Sequence, residues 1–170
     1  MTEFALVAPV LLLLTFGIID FGRALYFYAA AGNAAREAAR VAAVGSNPLP
    51  TNSDVITAAA VHFPGASFSA PACVNGPPPP GQPAAGTAWL TISSPSPPIA
   101  GFPVSPQPAN APGGEIAVTP PGCFPVVPAV GFPVLEVRIA YNFAPVTPLV
   151  SSVIGGHVVF ILTTMVETEY

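Results

Sequence analysis

The chain opens on an uninterrupted apolar run, Phe4 to Ile19 (FALVAPVLLLLTFGII), 16 residues without a charge. At 1.5 Å per residue that run makes about 24 Å of helix, just short of the ~30 Å hydrocarbon core of a bilayer. Asp20 and Arg23 follow, three apart and therefore neighbours on a helix surface, where they can neutralise each other. Ala24 to Ala35 is uncharged again, with Tyr26, Phe27 and Tyr28 at a depth suited to a membrane interface. Asn33 to Val44 (NAAREAARVAAV) is rich in alanine, the strongest helix former, and sets Arg36, Glu37 and Arg40 on one face. Gly45, Asn47 and Pro48 supply stop signals. The pattern predicts one helix from about residue 3 to 44, roughly 60 Å long, apolar all round at first and amphipathic later. Pro9 has no N–H for the preceding turn, so a bend is expected there.

The other clear periodicity lies at the far end. Leu135, Val137, Ile139, Tyr141 and Phe143 alternate with Glu136, Arg138, Ala140 and Asn142, the period-two signature of a half-buried strand. His157 to Val166 (HVVFILTTMV) is apolar on both faces, as for a central strand or one covered on each side. Between them Thr147 is placed to cap a short helix with Pro148 at its first position and Gly155-Gly156 at its end. Thr87 to Ser93 and Glu115 to Thr119 are weaker strand candidates. The expected architecture is α+β: one long N-terminal helix whose second half packs on a small, mostly antiparallel sheet of three to five strands, with long Pro-rich loops.

Composition divides the chain. Of 24 prolines, 23 lie after residue 45, and overall proline is about three times its usual ~5% share. Two regions follow, a helix over residues 1–44 and a Pro-rich β domain over 45–170. Pro77 to Pro80 reads as a stiff polyproline II spacer, and Phe-Pro-Val recurs at 102–104, 124–126 and 132–134. Those triplets read as loops pinned by aromatic–proline contacts, or more sharply as a subunit-contact or adhesive surface. Only 12 residues are charged, four Arg and eight Asp or Glu, for a net charge of −4. Such a chain has no basic patch with which to displace counterions from phosphates, which excludes a nucleic-acid binder. It also lacks the charged surface of an ordinary cytosolic domain.

Three readings of the first 44 residues compete. Glu3 and the absence of Lys or Arg ahead of the apolar run argue against a cleaved secretory signal. A plain single-span anchor fits less well with the short run and the Asp20–Arg23 interruption. An assembly helix, held in a membrane and then packed against copies of itself, also accounts for the small residues Ala29, Ala30, Ala31, Gly32, Ala34, Ala35, Ala38 and Ala39, which permit close helix approach.

The residues themselves resemble a family. Glu3-Phe4-Ala5-Leu6, Pro9 with the following Leu run, Gly17-Ile18-Ile19-Asp20-Phe21-Gly22-Arg23 and Asn33 to Arg40 are similar to the TadE-like, type IV pilin-related proteins of tight-adherence (Flp) pilus systems. Val137 to Phe143, the Pro145/Pro148 loop, Gly155-Gly156 and the strand ending Met165-Val166-Glu167 are similar to that family's closing segment. The resemblance implies a type IV pilin-like fold, residence in the inner membrane, cleavage of a leader by a prepilin peptidase, and handling by pilus assembly machinery into an extracellular filament of like subunits. Met1 has no leader glycine before it, so the chain is read as beginning after processing or as carrying a misassigned start. By the same resemblance Glu3 is the acidic residue near the mature N-terminus, paired with the amine of an adjacent subunit to set register, because a lone carboxylate in an apolar core is costly. Phe4, Pro9, Asp20 and Arg23 complete the expected assembly and register set. The positive-inside rule, applied to Arg23, Arg36 and Arg40, would instead put the C-terminal part in the cytoplasm. The cysteines and the resemblance outweigh it.

Cys73 and Cys123 are the only cysteines. Their even count and Pro/Gly-rich surroundings favour a disulfide, worth roughly 3–4 kcal/mol in the chain-entropy model, over two separate buried thiols. No Cys-x-x-Cys, His cluster, phosphate loop or nucleophile motif accompanies them, so neither metal, cofactor nor catalysis is expected. Thr91, Ser93, Ser94, Ser96 and Ser105 are compatible with O-glycosylation. The expected function is a structural pilin-like subunit that polymerises for surface attachment. A minor pseudopilin that primes or caps assembly, and a membrane-anchored binding domain that never polymerises, stand as alternatives.

Overall fold

The computed structural model describes residues 2–45, 50–69, 81–93 and 134–169, with only the backbone described at Thr2, Glu3, Ala5, Asn52, Ser93 and Leu149. The expected strand at Glu115–Thr119, the Pro77–Pro80 spacer and the Phe-Pro-Val triplets, Val134 apart, lie outside these residues.

Helix α1 spans Thr2–Ala43 and runs through Pro9 as one element. Four strands, β1 (Ser67–Phe68), β2 (Thr87–Ser93), β3 (Val134–Phe143) and β4 (Val158–Glu167), form a single sheet in the order β1-β2-β3-β4. β2–β3 and β3–β4 are antiparallel, with Leu90 opposite Ile139 and Ile139 opposite Leu162; the two-residue β1 runs parallel to β2. The result is the α+β arrangement expected, on a mixed sheet.

One sheet face and one helix face make the core. Ala31, Ala34, Ala35, Ala38 and Ala42 recur at helical spacing along α1 and are buried in one cluster with Leu90, Ile92, Leu135, Val137 and Ile139 of the sheet and with Val55, Ala59 and Phe63. Small side chains let the sheet approach the helix closely: a Cβ added at Gly32 would stand 3.2 Å from the Leu162 Cδ2 methyl. The small-residue surface expected to meet neighbouring helices is therefore filled mostly by the subunit's own body, and of the eight residues Ala29 stays exposed.

Helix α2 (Asn52–Val61) was not legible in the periodicity, yet its start signal was present. The Thr51 hydroxyl accepts from the Asp54 N–H at 3.3 Å while the Asp54 carboxylate accepts from the Thr51 N–H at 2.8 Å, a complete capping box. The helix carries Val55, Ala59 and the following Phe63 into the core, each fully buried.

β4 departs from expectation. Its apolar sequence suggested a central strand or one covered on each side, but among the described strands it lies at the sheet edge, with Val158, Ile161 and Met165 exposed. Only the alternate residues Phe160, Leu162 and Val166 pack on the core. Its end is tied to α1, where the Glu169 N–H donates to the Ala43 carbonyl at 2.9 Å. Thr91, a candidate glycan acceptor, is buried at 5% exposure on β2 and so is closed to modification in the folded subunit; Ser94, Ser96 and Ser105 lie outside the described residues.

Candidate functional site

α1 changes character at Asp20. Every described side chain from Phe4 to Ile19 is exposed or half-exposed, and Asp20 is the first buried one, at 3% exposure. Ahead of that point Phe4, Leu6, Val10, Leu11, Leu14 and Ile18 project from the body with no cover. The helix is long and apolar enough to cross a membrane. Pro9 is exposed within this arm; Glu3 stands in its first turn, where the side chain is not described.

A buried carboxylate needs hydrogen-bond donors. Asp20 meets Arg23 at 3.2 Å, as its spacing predicted. It also accepts the backbone N–H of Val146 on Oδ1 at 3.1 Å and that of Thr147 on Oδ2 at 3.0 Å. These two amides precede helix α3 (Pro148–Ile154), for which Thr147 is the N-cap residue. The Thr147 side chain makes no cap hydrogen bond to that helix, contrary to the expectation; a carboxylate from α1 binds the turn instead. At its other end α3 stops on Gly155 at φ 79°, the left-handed region that glycine enters without strain, as expected.

Arg23 extends from this junction over two rings, its guanidinium carbon 5.6 Å from the Phe143 centroid and 6.0 Å from that of Phe27. A guanidinium in this position is attracted by the ring quadrupoles. Phe27 in turn lies 5.1 Å from Tyr141, and Phe63 lies 5.0 Å from Tyr141. An aromatic cluster thus begins about two turns of helix above the buried carboxylate and leads into the core. Burial raises the Tyr141 hydroxyl above its ordinary pKa, and the nearby Arg23 charge opposes that shift. Farther along α1 the Arg36, Glu37 and Arg40 face is solvent-directed, with Arg40 paired to Glu37 and Arg36 bonded to Asn33 Oδ1 at 2.6 Å.

Of the five residues expected to serve assembly, the structure brings Asp20 and Arg23 together with the α3 turn, and leaves Phe4 and Pro9 on the uncovered arm. Cys73 and Cys123 lie outside the described residues. The groups that reading the sequence missed are the Val146 and Thr147 amides. Backbone donors have no residue signature, and the available hint was that an Asp among apolar neighbours must find partners beyond one Arg. Among the described residues no three His, Cys, Asp or Glu side chains gather in a metal-sized group.

The sequence model of the family described as TadE-like protein matches residues 1–40, the arm, the Asp20–Arg23 junction and most of the alanine face. Neither the curated proteins nor the solved structures contain a match to the chain.

Proposed function

We propose that this protein is a pilus-associated subunit of the TadE-like kind, anchored by the apolar half of α1 and assembled through it into an extracellular filament for surface attachment. The family match over residues 1–40 supports the association with tight-adherence pili. The observation that carries the assembly reading is the division of α1 at Asp20: one half is consumed by the subunit's own core, the other is apolar and covered by none of the described residues. Such a surface is stable in lipid and equally stable against like helices, so a subunit can exchange one for the other. On this reading residues 1–44 act as the assembly helix and 45–170 as the outward body, with Glu3 setting axial register in a neighbour's apolar surroundings. Cys73 and Cys123 form a disulfide in the exported subunit, and a prepilin peptidase and pilus machinery handle the chain before assembly.

A second reading draws on a different observation. Asp20 and Arg23, members of the expected assembly and register set, are engaged inside this subunit. A membrane-anchored or tip-located subunit, present in few copies, needs no more than that. Filaments sheared from cells and analysed by mass spectrometry separate the two. Stoichiometric presence of the chain in the shaft, lost in Glu3→Ala, supports the repeating subunit. Retention in the membrane fraction, unchanged by Glu3→Ala, overturns it.

A further inference from the structure

The turn that Asp20 binds lies at the point where α1 leaves the folded body, and it presents apolar side chains with no cover among the described residues. Val146 is 72% exposed, Val153 78% and Ile154 40%. Asp20 holds this segment by two backbone hydrogen bonds at 3.1 and 3.0 Å, so its level along α1 is fixed at the residue where the uncovered apolar arm ends. We propose that the turn and α3, residues 145–154, form a wedge that lies in the headgroup layer of the membrane crossed by α1. This rests on the anchoring of α1 in a bilayer described above.

Three features favour a lipid surface as the occupant. No Asp, Glu, Lys or Arg occurs between Arg138 and Glu167, although the chain places charges elsewhere on its surface. An uncharged segment beside a transmembrane arm avoids the cost of moving an ion into a poorly hydrated layer. The backbone is also prepared for such a layer, where unsatisfied amides are costly. Pro145 and Pro148 have no N–H, and the two amides between them, of Val146 and Thr147, are both taken by Asp20. At the far end the Gly156 N–H donates to the Ser151 carbonyl at 2.7 Å. Finally, the exposed apolar surface is continuous with an apolar arm of membrane-spanning character, and Tyr26 and Tyr28, each 53% exposed, stand just beyond the junction in the manner of interfacial aromatic residues. A short element that exposes Val146, Val153 and Ile154 together with Ser152, while Thr147 and Ser151 are half-buried, suits partial immersion rather than full insertion.

Tryptophan depth measurements test this in full-length protein reconstituted in phosphatidylcholine vesicles. Trp89 is the only tryptophan, so Trp89→Phe provides a silent background. Into it are placed Val153→Trp on α3, Leu12→Trp on the apolar arm and Met165→Trp at the distal end of β4. The expected result is loss of Val153→Trp emission with lipids brominated near the headgroup, loss of Leu12→Trp emission with lipids brominated deep in the chain, and no quenching of Met165→Trp. Quenching at residue 12 without quenching at 153 overturns the wedge and leaves the membrane span intact. No quenching at residue 12 overturns the span and the wedge with it. Emission at 153 that blue-shifts only as the protein-to-lipid ratio rises assigns the surface to a neighbouring subunit and also overturns the proposal.

Discussion

The Asp20 carboxylate and the Thr147 backbone N–H, 127 residues apart in the chain, lie 3.0 Å from each other across the contact between α1 and the α3 turn. This bond and its companion to Val146 join the first buried residue of the long helix to the loop between the last two strands. They place a charge-satisfied joint where the apolar arm begins.

Removing the carboxylate should loosen that joint. Asp20→Ala leaves two amides and Arg23 without their acceptor, and hydrogen bonds to a charged group contribute about 1.5–3 kcal/mol. We expect a fall in stability of about that size in detergent, with faster hydrogen exchange at Val146 and Thr147 while the β3–β4 amides stay protected. Asp20→Asn, which keeps an acceptor, should fall between the wild type and Asp20→Ala. Equal exchange at Val146 in all three proteins would contradict the joint.

The alanine face separates intramolecular from intermolecular use of the helix. Ala34 is fully buried within the subunit, whereas Ala29, one and a half turns earlier, is exposed. Ala34→Leu overfills the core around α1 and should cost about 1–3 kcal/mol in the isolated subunit. Ala29→Leu should change subunit stability by less than about 0.5 kcal/mol. Thermal unfolding of the two variants in detergent checks the pair; a large loss in Ala29→Leu would show that this face is packed in the subunit.

Phe63 tests whether the unforeseen helix α2 matters to the fold. Its ring is fully buried and lies within 6.2 Å of the Phe27, Phe68 and Tyr141 ring centroids. Phe63→Ala should cost about 3–5 kcal/mol. Denaturant titration of the full chain in detergent checks this, and a change below about 1 kcal/mol would show that α2 does not support the fold.

The α2 cap carries an acid dependence. Hydrogen bonds from the Thr51 N–H and then the Thr51 hydroxyl hold the Asp54 carboxyl below its ordinary pKa, against a smaller opposing effect of burial. A carboxyl whose folded pKa is depressed binds its proton more readily in the unfolded chain. The cap's contribution is therefore complete above the unfolded value, near 3.9, and is lost as pH falls through the lower folded value. Thr51→Ala should cost about 0.5–2 kcal/mol at neutral pH. Asp54→Asn should remove the acid-dependent part, seen as a flatter α2 amide-exchange profile below the ordinary carboxylate range.

Much of the secondary structure was legible because its signals are local. α1, β2, β3, β4 and α3 are each encoded by an unbroken period or by stop residues, and they stand within two residues of their expected bounds. α2 was missed although Thr51 and Asp54 spelled its start, because the alanine-rich stretch between them and Phe63 has little apolar contrast from face to face. The two-residue β1 has no period at all, since its pairing comes only from β2.

The sequence by itself determined that an apolar arm, a small-residue helix face and two strongly patterned strands exist, because composition and spacing are properties of neighbouring residues. Only the tertiary structure decided which partner each surface meets. The alanines could serve a neighbouring helix or the chain's own body, and the sheet and α2 bury most of them. β4 could be central or marginal, and strand order put it at the edge. Asp20 could be matched by Arg23 alone, yet its burial draws in two amides from a loop far along the chain. Backbone donors carry no side-chain signature, and the distances that bring them to a carboxylate arise only when the chain is folded.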